Sequence, residues 1–144
     1  MVRADRAKRT DPARADSYAE VGRRLLHAAR AITEQGDARH ASALAILAVH
    51  SVIAFGDAIA IHTGGRRSTS ADHAAILALL RDVLGNRLPA KLAKDMQRVI
   101  AEQDRFEYQG YVADLNEARA LLDRAERVGA WCEEWLTMTP RLRD

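Results

Sequence analysis

The chain contains one cysteine, three prolines and eight glycines among its 144 residues. A single thiol, Cys132, cannot form a disulfide within the chain, so the fold does not require an oxidising compartment. Few helix breakers, an apolar fraction of 48% and a charged fraction of 29% are typical of an ordered helical protein. A chain of this length is expected to form one domain with its own core.

Sequence signals for β-structure and for several enzyme classes are also missing. Alternating β-branched runs and Asn-Gly hairpin turns do not occur. The pair Gly64-Gly65 lacks the further glycines of a phosphate or dinucleotide loop, so an ATPase or a dehydrogenase is not expected. The histidines are scattered and show no His-Glu-x-x-His spacing, so neither a metal site nor a cofactor is predicted.

The net charge of +2 is unevenly distributed along the chain. Residues 1–15 hold five basic and two acidic side chains, and residues 140–144 hold two basic and one acidic, which leaves −2 for the rest. We predict a disordered basic tail over 1–15, a helical bundle over 16–138 and a C-terminal tail over 139–144. The early residues lack the apolar run of a secretory signal, so a cytoplasmic protein is expected.

The basic residues of the first segment have two interpretations. They form either a soluble tail or a weak arm that attracts phosphate groups. The residues concerned are Arg3, Arg6, Lys8, Arg9 and Arg14.

Apolar residues recur at helical spacing in five segments. The first is predicted to begin at a capping box of Ser17 and Glu20 and to end at Gly36. The second runs from near Asp37 to His62 and is apolar on nearly every face, which is typical of a central helix or of a membrane span. Polar residues inside this run and the need of the other segments for an apolar partner favour the central helix, and no membrane association is predicted.

The other three segments have one apolar face each. Ser70 is predicted to cap the third helix, which ends at Gly85, and Pro89 precedes the fourth. Asp114 and Glu117 form a capping box at the start of the fifth. The predicted fold class is all-α, an antiparallel bundle of four to five helices with a central apolar helix.

The loop over 62–73 carries the clearest candidate chemistry. Arg66 and Arg67 are permanent cations, and His73 is a side chain that titrates near neutral pH. Together they could cleave RNA without a metal ion, the histidine removing the 2′-hydroxyl proton and an arginine stabilising pentacoordinate phosphorus. In the alternative interpretation His73 caps the third helix and both arginines are solvated loop charges.

Two polar residues lie inside the apolar second segment. His50 and Asp57 are seven residues apart and therefore share one helix face. Burying either without a partner would cost a few kcal/mol. We expect partners among Arg105, Glu107 and Tyr108, which would fix the helix register or line a binding pocket.

Several short motifs follow one another in a definite order along the chain. They are Leu26 to Ala29, Gly36-Asp37, Leu47 to Ser51, Asp57-Ala58, Gly64-Gly65, Asp72-His73, Glu107-Tyr108, and Ala118 to Leu122 followed by Ala125 and Trp131. This order resembles that of the HEPN domains over roughly Asp16 to Leu136. The resemblance implies an all-α bundle that is frequently dimeric.

Catalytic members of that family are metal-independent endoribonucleases, including toxins and effectors of phage defence. They carry an arginine, four to six residues and then a histidine, a spacing that Arg67 and Arg66 both meet with His73. In active members asparagine commonly follows the arginine, whereas Arg67 or Ser68 stands at that position here.

The resulting hypothesis is a HEPN-like protein that associates with RNA or nucleotides and acts as a ribonuclease of toxin or defence type. A homodimer is expected, with an apolar edge at Trp131 and Trp135 as its interface, and an antitoxin-like protein is a second expected partner. The competing hypothesis is a non-catalytic dimeric interaction module. Both predict the same bundle.

Overall fold

The computed structural model describes residues 7–69, 73–107 and 109–143. Within them the predicted helical bundle is confirmed, and it contains five α-helices. The helices are α1 Ala15–Gln35, α2 Ala41–Gly64, α3 Ala74–Leu84, α4 Ala90–Glu107 and α5 Leu115–Met138. The strands are β1 Ala7–Arg9 and β2 Arg66–Ser68, and short 3-10 turns occupy Pro12–Arg14, Ala38–His40 and Gly85–Arg87.

Helix α2 is the central helix, as its all-round apolar sequence predicted. It packs against each of the other four helices. Helix α2 and the turn before it, residues 38–64, are together long and apolar enough to cross a membrane. However, 72% of their most apolar 18-residue stretch is buried inside the bundle. Phe55 sits where a side chain on Gly22 or Gly129 would lie 2.8 or 3.1 Å from its ring, so these two glycines let α1 and α5 approach α2 closely.

The helix ends follow the predicted signals with one exception. Gly36 ends α1 in the left-handed conformation, and the capping box of Asp114 and Glu117 opens α5. The capping box predicted at Ser17 and Glu20 is wrong, because α1 already begins at Ala15 after the Pro12–Arg14 turn. The Ser17 hydroxyl donates to the carbonyl of Arg14, and the cap predicted at Ser70 lies outside the described residues.

A two-stranded sheet is present that the sequence did not predict. Strands β1 and β2 pair antiparallel, and the Thr10 amide donates to the Gly65 carbonyl at 2.8 Å. Residues 7–15 therefore belong to the folded unit, which corrects that part of the disordered tail predicted over 1–15, and residues 1–6 lie outside the described residues. Strands of three residues are too short to show the period-2 alternation by which a strand is recognised in a sequence.

The residues after α5 also pack against the bundle. The buried His62 ring donates from Nε2 to the Thr139 carbonyl at 2.7 Å, and the Leu142 amide donates to the His62 carbonyl at 2.8 Å. Arg141 pairs with Asp16 at 2.9 Å. Residues 7–10 and 139–142 thus meet the bundle at the C-terminal end of α2, next to β2.

Candidate functional site

The chain turns from α2 into β2 at Gly65, which has a φ of 62°. Successive strand residues point to opposite sides, so Arg66 is exposed while Arg67 is half-buried. The Arg67 guanidinium lies 5.8 Å from the centre of the Tyr18 ring on α1. Arg67 is therefore held against the bundle, and Arg66 projects into solvent.

His73 occupies the position before α3, but its ring does not cap that helix. Its backbone carbonyl accepts from the Ile76 amide at 3.1 Å, and its side chain makes no capping hydrogen bond. The imidazole is half-buried and remains available for other contacts. The sequence could not distinguish a helix cap from a catalytic histidine, since both place a histidine at the start of the helix.

Arg67, His73 and Asp57 line a common cavity of about 320 Å³. Its other lining residues are Ile53, Ser68, Thr69 and Ile76. The cavity brings together a permanent cation, an imidazole and a carboxyl group from three elements, α2, β2 and the start of α3. The space lies at the small end of typical ligand pockets, which hold about 300–1,000 Å³.

Asp57 is the acidic residue of this cavity, and its pKa is raised. Burial raises its pKa from the ordinary 3.8 to about 6, while the charge of Arg67 and the backbone amide of Ser68 act in the opposite direction. Its buried Oδ1 atom has no hydrogen-bond partner. The ionised carboxyl group therefore lies beside Arg67 with incomplete hydrogen bonding, which is costly inside a protein.

A second polar pair lies behind His73. His50 on α2 donates from Nε2 to Glu107 Oε1 at 2.8 Å, and Gln103 donates to the other carboxylate oxygen at 3.1 Å. The His50 ring meets the His73 ring edge-on, with centroids 6.0 Å apart and planes at 80°. Glu107 thus fixes His50, and His50 in turn packs against His73.

His73 also borders a larger cavity of about 740 Å³ between α3 and α4. Its lining combines apolar and polar residues, including Leu77, Arg81, Gln97, Ile100 and Asp104. A cavity of this size can hold a nucleotide-sized group. The imidazole consequently stands between a small charged cavity and a larger mixed one.

The other predicted site residues lie elsewhere. Arg105 pairs with Glu117 at 2.9 Å and lies 4.0 Å from the centre of the Tyr111 ring, so it joins α4 to the start of α5 rather than meeting His50. Tyr108 lies outside the described residues. Gln103 was missed, although its position four residues before Glu107 puts both on one face of α4.

Catalysis by the Cys132 thiol and metal-ion binding have less support. Burial raises the pKa of the Cys132 thiol, and a thiol that stays protonated is a poor nucleophile. Within residues 7–69, 73–107 and 109–143, no group of three or more His, Cys, Asp or Glu side chains is arranged to hold a metal ion.

No sequence family, characterised protein or solved structure matches this chain significantly.

Proposed function

We propose that this chain is a HEPN-like endoribonuclease that cleaves RNA by acid–base chemistry without a metal ion, with Arg67 and His73 as its catalytic residues. The observation that carries the proposal is the cavity that both side chains line together with Asp57. A fixed cation and an imidazole in one cavity supply the two groups that phosphodiester transfer to a neighbouring hydroxyl needs.

His73 acts first as the general base. An imidazole nitrogen accepts the proton of a 2′-hydroxyl, and the 2′-oxygen attacks the adjacent phosphorus. The bond from phosphorus to the 5′-oxygen then breaks, that oxygen takes up a proton from solvent, and the protonated imidazole releases its proton to solvent. The products are a 2′,3′-cyclic phosphate and a 5′-hydroxyl end.

Arg67 stabilises the negative charge that builds up on the phosphate oxygens during attack. A guanidinium presents a planar set of donors that fits two such oxygens at once. Packing on Tyr18 limits the positions that this guanidinium can adopt, so less conformational entropy is lost when it binds the phosphate. Arg66, on the opposite face of β2, is assigned to binding a neighbouring phosphate.

His50 and Glu107 are positioning residues for His73. The 2.8 Å hydrogen bond to Glu107 fixes the His50 ring, and this ring packs edge-on against the His73 ring. Glu107 is itself fixed by Gln103, whose side chain is buried. A chain of fixed neighbours of this kind limits the rotation of the catalytic imidazole.

The proposal predicts cleavage of RNA but not of DNA of the same sequence in the presence of a chelator. DNA lacks the 2′-hydroxyl that attacks phosphorus, and a chelator removes any metal-dependent contaminant activity. Analysis of the ends should find a 2′,3′-cyclic phosphate. Equal cleavage of DNA, or no cleavage of RNA by folded protein between about pH 5 and 8, would contradict the proposal and favour the non-catalytic interaction module.

A further inference from the structure

We infer that β1 and β2 form a binding surface for the phosphate backbone of single-stranded RNA. We call this surface the basic ribbon and define it as Ala7–Arg9 and Arg66–Ser68. The inference rests on the proposed function for the identity of the nucleic acid. Its structural basis is the register of the two strands, which concentrates four cations in six residues.

The register places like charges directly opposite each other. Lys8 faces Arg67, and Arg9 faces Arg66. Opposed residues of an antiparallel pair have Cβ atoms about 4.5–5.5 Å apart, and like charges at that spacing destabilise the pair. The ribbon therefore forms despite repulsion on both of its faces.

Little in the described part of the chain compensates this repulsion. Arg67 has the carboxyl group of Asp57 nearby, but none of Lys8, Arg9 and Arg66 forms an ion pair with a described acidic residue. All three side chains are exposed. A bound polyanion would supply the missing negative charge.

The ribbon leads directly into the proposed catalytic cavity. Arg67 and Ser68 belong to both, and the next residue of the chain, Thr69, also lines the cavity. The C-terminal segment adds exposed Arg143, one residue after Leu142, whose side chain would lie 3.1 Å from a Cβ on Gly65. An RNA strand bound along the ribbon therefore leads into the cavity that His73 lines.

Single-stranded RNA fits this surface better than a duplex does. Its flexible backbone can follow a short, twisted ribbon, whereas a duplex presents phosphates at fixed spacing. Contacts to phosphate carry no sequence information, so the ribbon should bind many sequences with similar affinity. Its affinity should fall steeply as the salt concentration rises, because the Lys and Arg side chains release counterions from the RNA when they bind its phosphates.

The test measures the salt dependence of binding to a 2′-O-methyl RNA oligonucleotide, which binds but cannot be cleaved. We expect the double variant Lys8→Gln/Arg9→Gln to flatten the slope of log K against log salt by about 1.4, or about 0.7 for each lost phosphate contact. The matched control is Lys94→Gln/Arg98→Gln, which removes the same charge from exposed positions of α4. Its slope should equal that of the wild type.

A further variant separates charge from folding. Lys8→Arg/Arg9→Lys keeps both charges in β1 and should retain the wild-type slope. An unchanged slope in Lys8→Gln/Arg9→Gln, or the same flattening in the α4 control, would overturn the inference. The inference would also be overturned if Lys8→Gln/Arg9→Gln lost binding to phosphatidylserine vesicles but bound RNA like the wild type, since the ribbon would then be a membrane contact.

The probe keeps this test independent of catalysis. A chain that binds the oligonucleotide through the ribbon but cleaves no RNA overturns the proposed function and leaves the ribbon in place. A chain that cleaves RNA and shows an unchanged slope without Lys8 and Arg9 overturns only the ribbon.

Discussion

Replacement of His73 by alanine should reduce the rate of RNA cleavage by about 10²–10⁴-fold. This range is the usual contribution of one positioned acid–base group, and alanine has no group that can accept the 2′-hydroxyl proton. The side chain is half-buried at the start of α3 and makes no capping hydrogen bond, so its removal should leave the helix intact. Cleavage rates in chelator at saturating RNA would measure the effect.

A matched control is His27→Ala, which removes an exposed histidine from α1. Its cleavage rate should equal that of the wild type, and both variants should bind the 2′-O-methyl oligonucleotide normally. Added imidazole should restore part of the rate in His73→Ala, because the lost side chain leaves space beside the cavity. Equal cleavage by His73→Ala and the wild type would show that the assignment of the base is wrong.

The helices could be predicted from the sequence because each has several apolar residues at regular spacing and a definite end. The ends at Gly36 and at the capping box of Asp114 and Glu117 depend on hydrogen bonds between residues close in sequence. A local pattern is therefore enough to identify them. The start of α1 was misplaced for the same reason. Ser17 and Glu20 have the residue types of a capping box, but the turn at Pro12–Arg14 already directs the chain into a helix.

The site depends on contacts that local patterns do not encode. Glu107 was among three residues offered as partners of His50 or Asp57, and the structure places it at 2.8 Å from His50 across 57 residues of sequence. Which of the three would face α2 depends on the packing of α4, which no spacing reveals. The convergence of Asp57 with Arg67 likewise depends on how β2 lies against α2.

The charge distribution acquires a different meaning in the folded chain. By sequence the positive charge belongs to the ends and the central body is acidic. In the structure, Lys8 pairs with Arg67, Arg9 pairs with Arg66, and Leu142 lies against Gly65. The described ends are therefore part of the same surface as the candidate site. An acidic bundle can in this way present a local cationic surface to an anionic substrate.

Replacement of Asp57 by asparagine should stabilise the protein by about 3 kcal/mol above pH 7 and have little effect at pH 4. The size follows from the pKa of Asp57, which burial raises from 3.8 to about 6. In the folded state the carboxyl group keeps its proton up to about pH 6, whereas in the unfolded chain it loses it near pH 3.8. The wild type therefore loses stability as pH rises between these values, and asparagine, which has no proton to lose there, does not.

Urea unfolding of both proteins at several pH values would measure this difference. The control Asp123→Asn changes an exposed carboxyl group on α5 and should not reproduce the pH-dependent gain. A gain in Asp57→Asn that is the same at pH 4 and pH 8 would show that it comes from packing rather than from ionisation. A gain that appears only as pH rises towards 6 would instead measure the free energy that the fold gives up to keep a negative charge beside Arg67, a cost that proteins commonly accept where a site requires it.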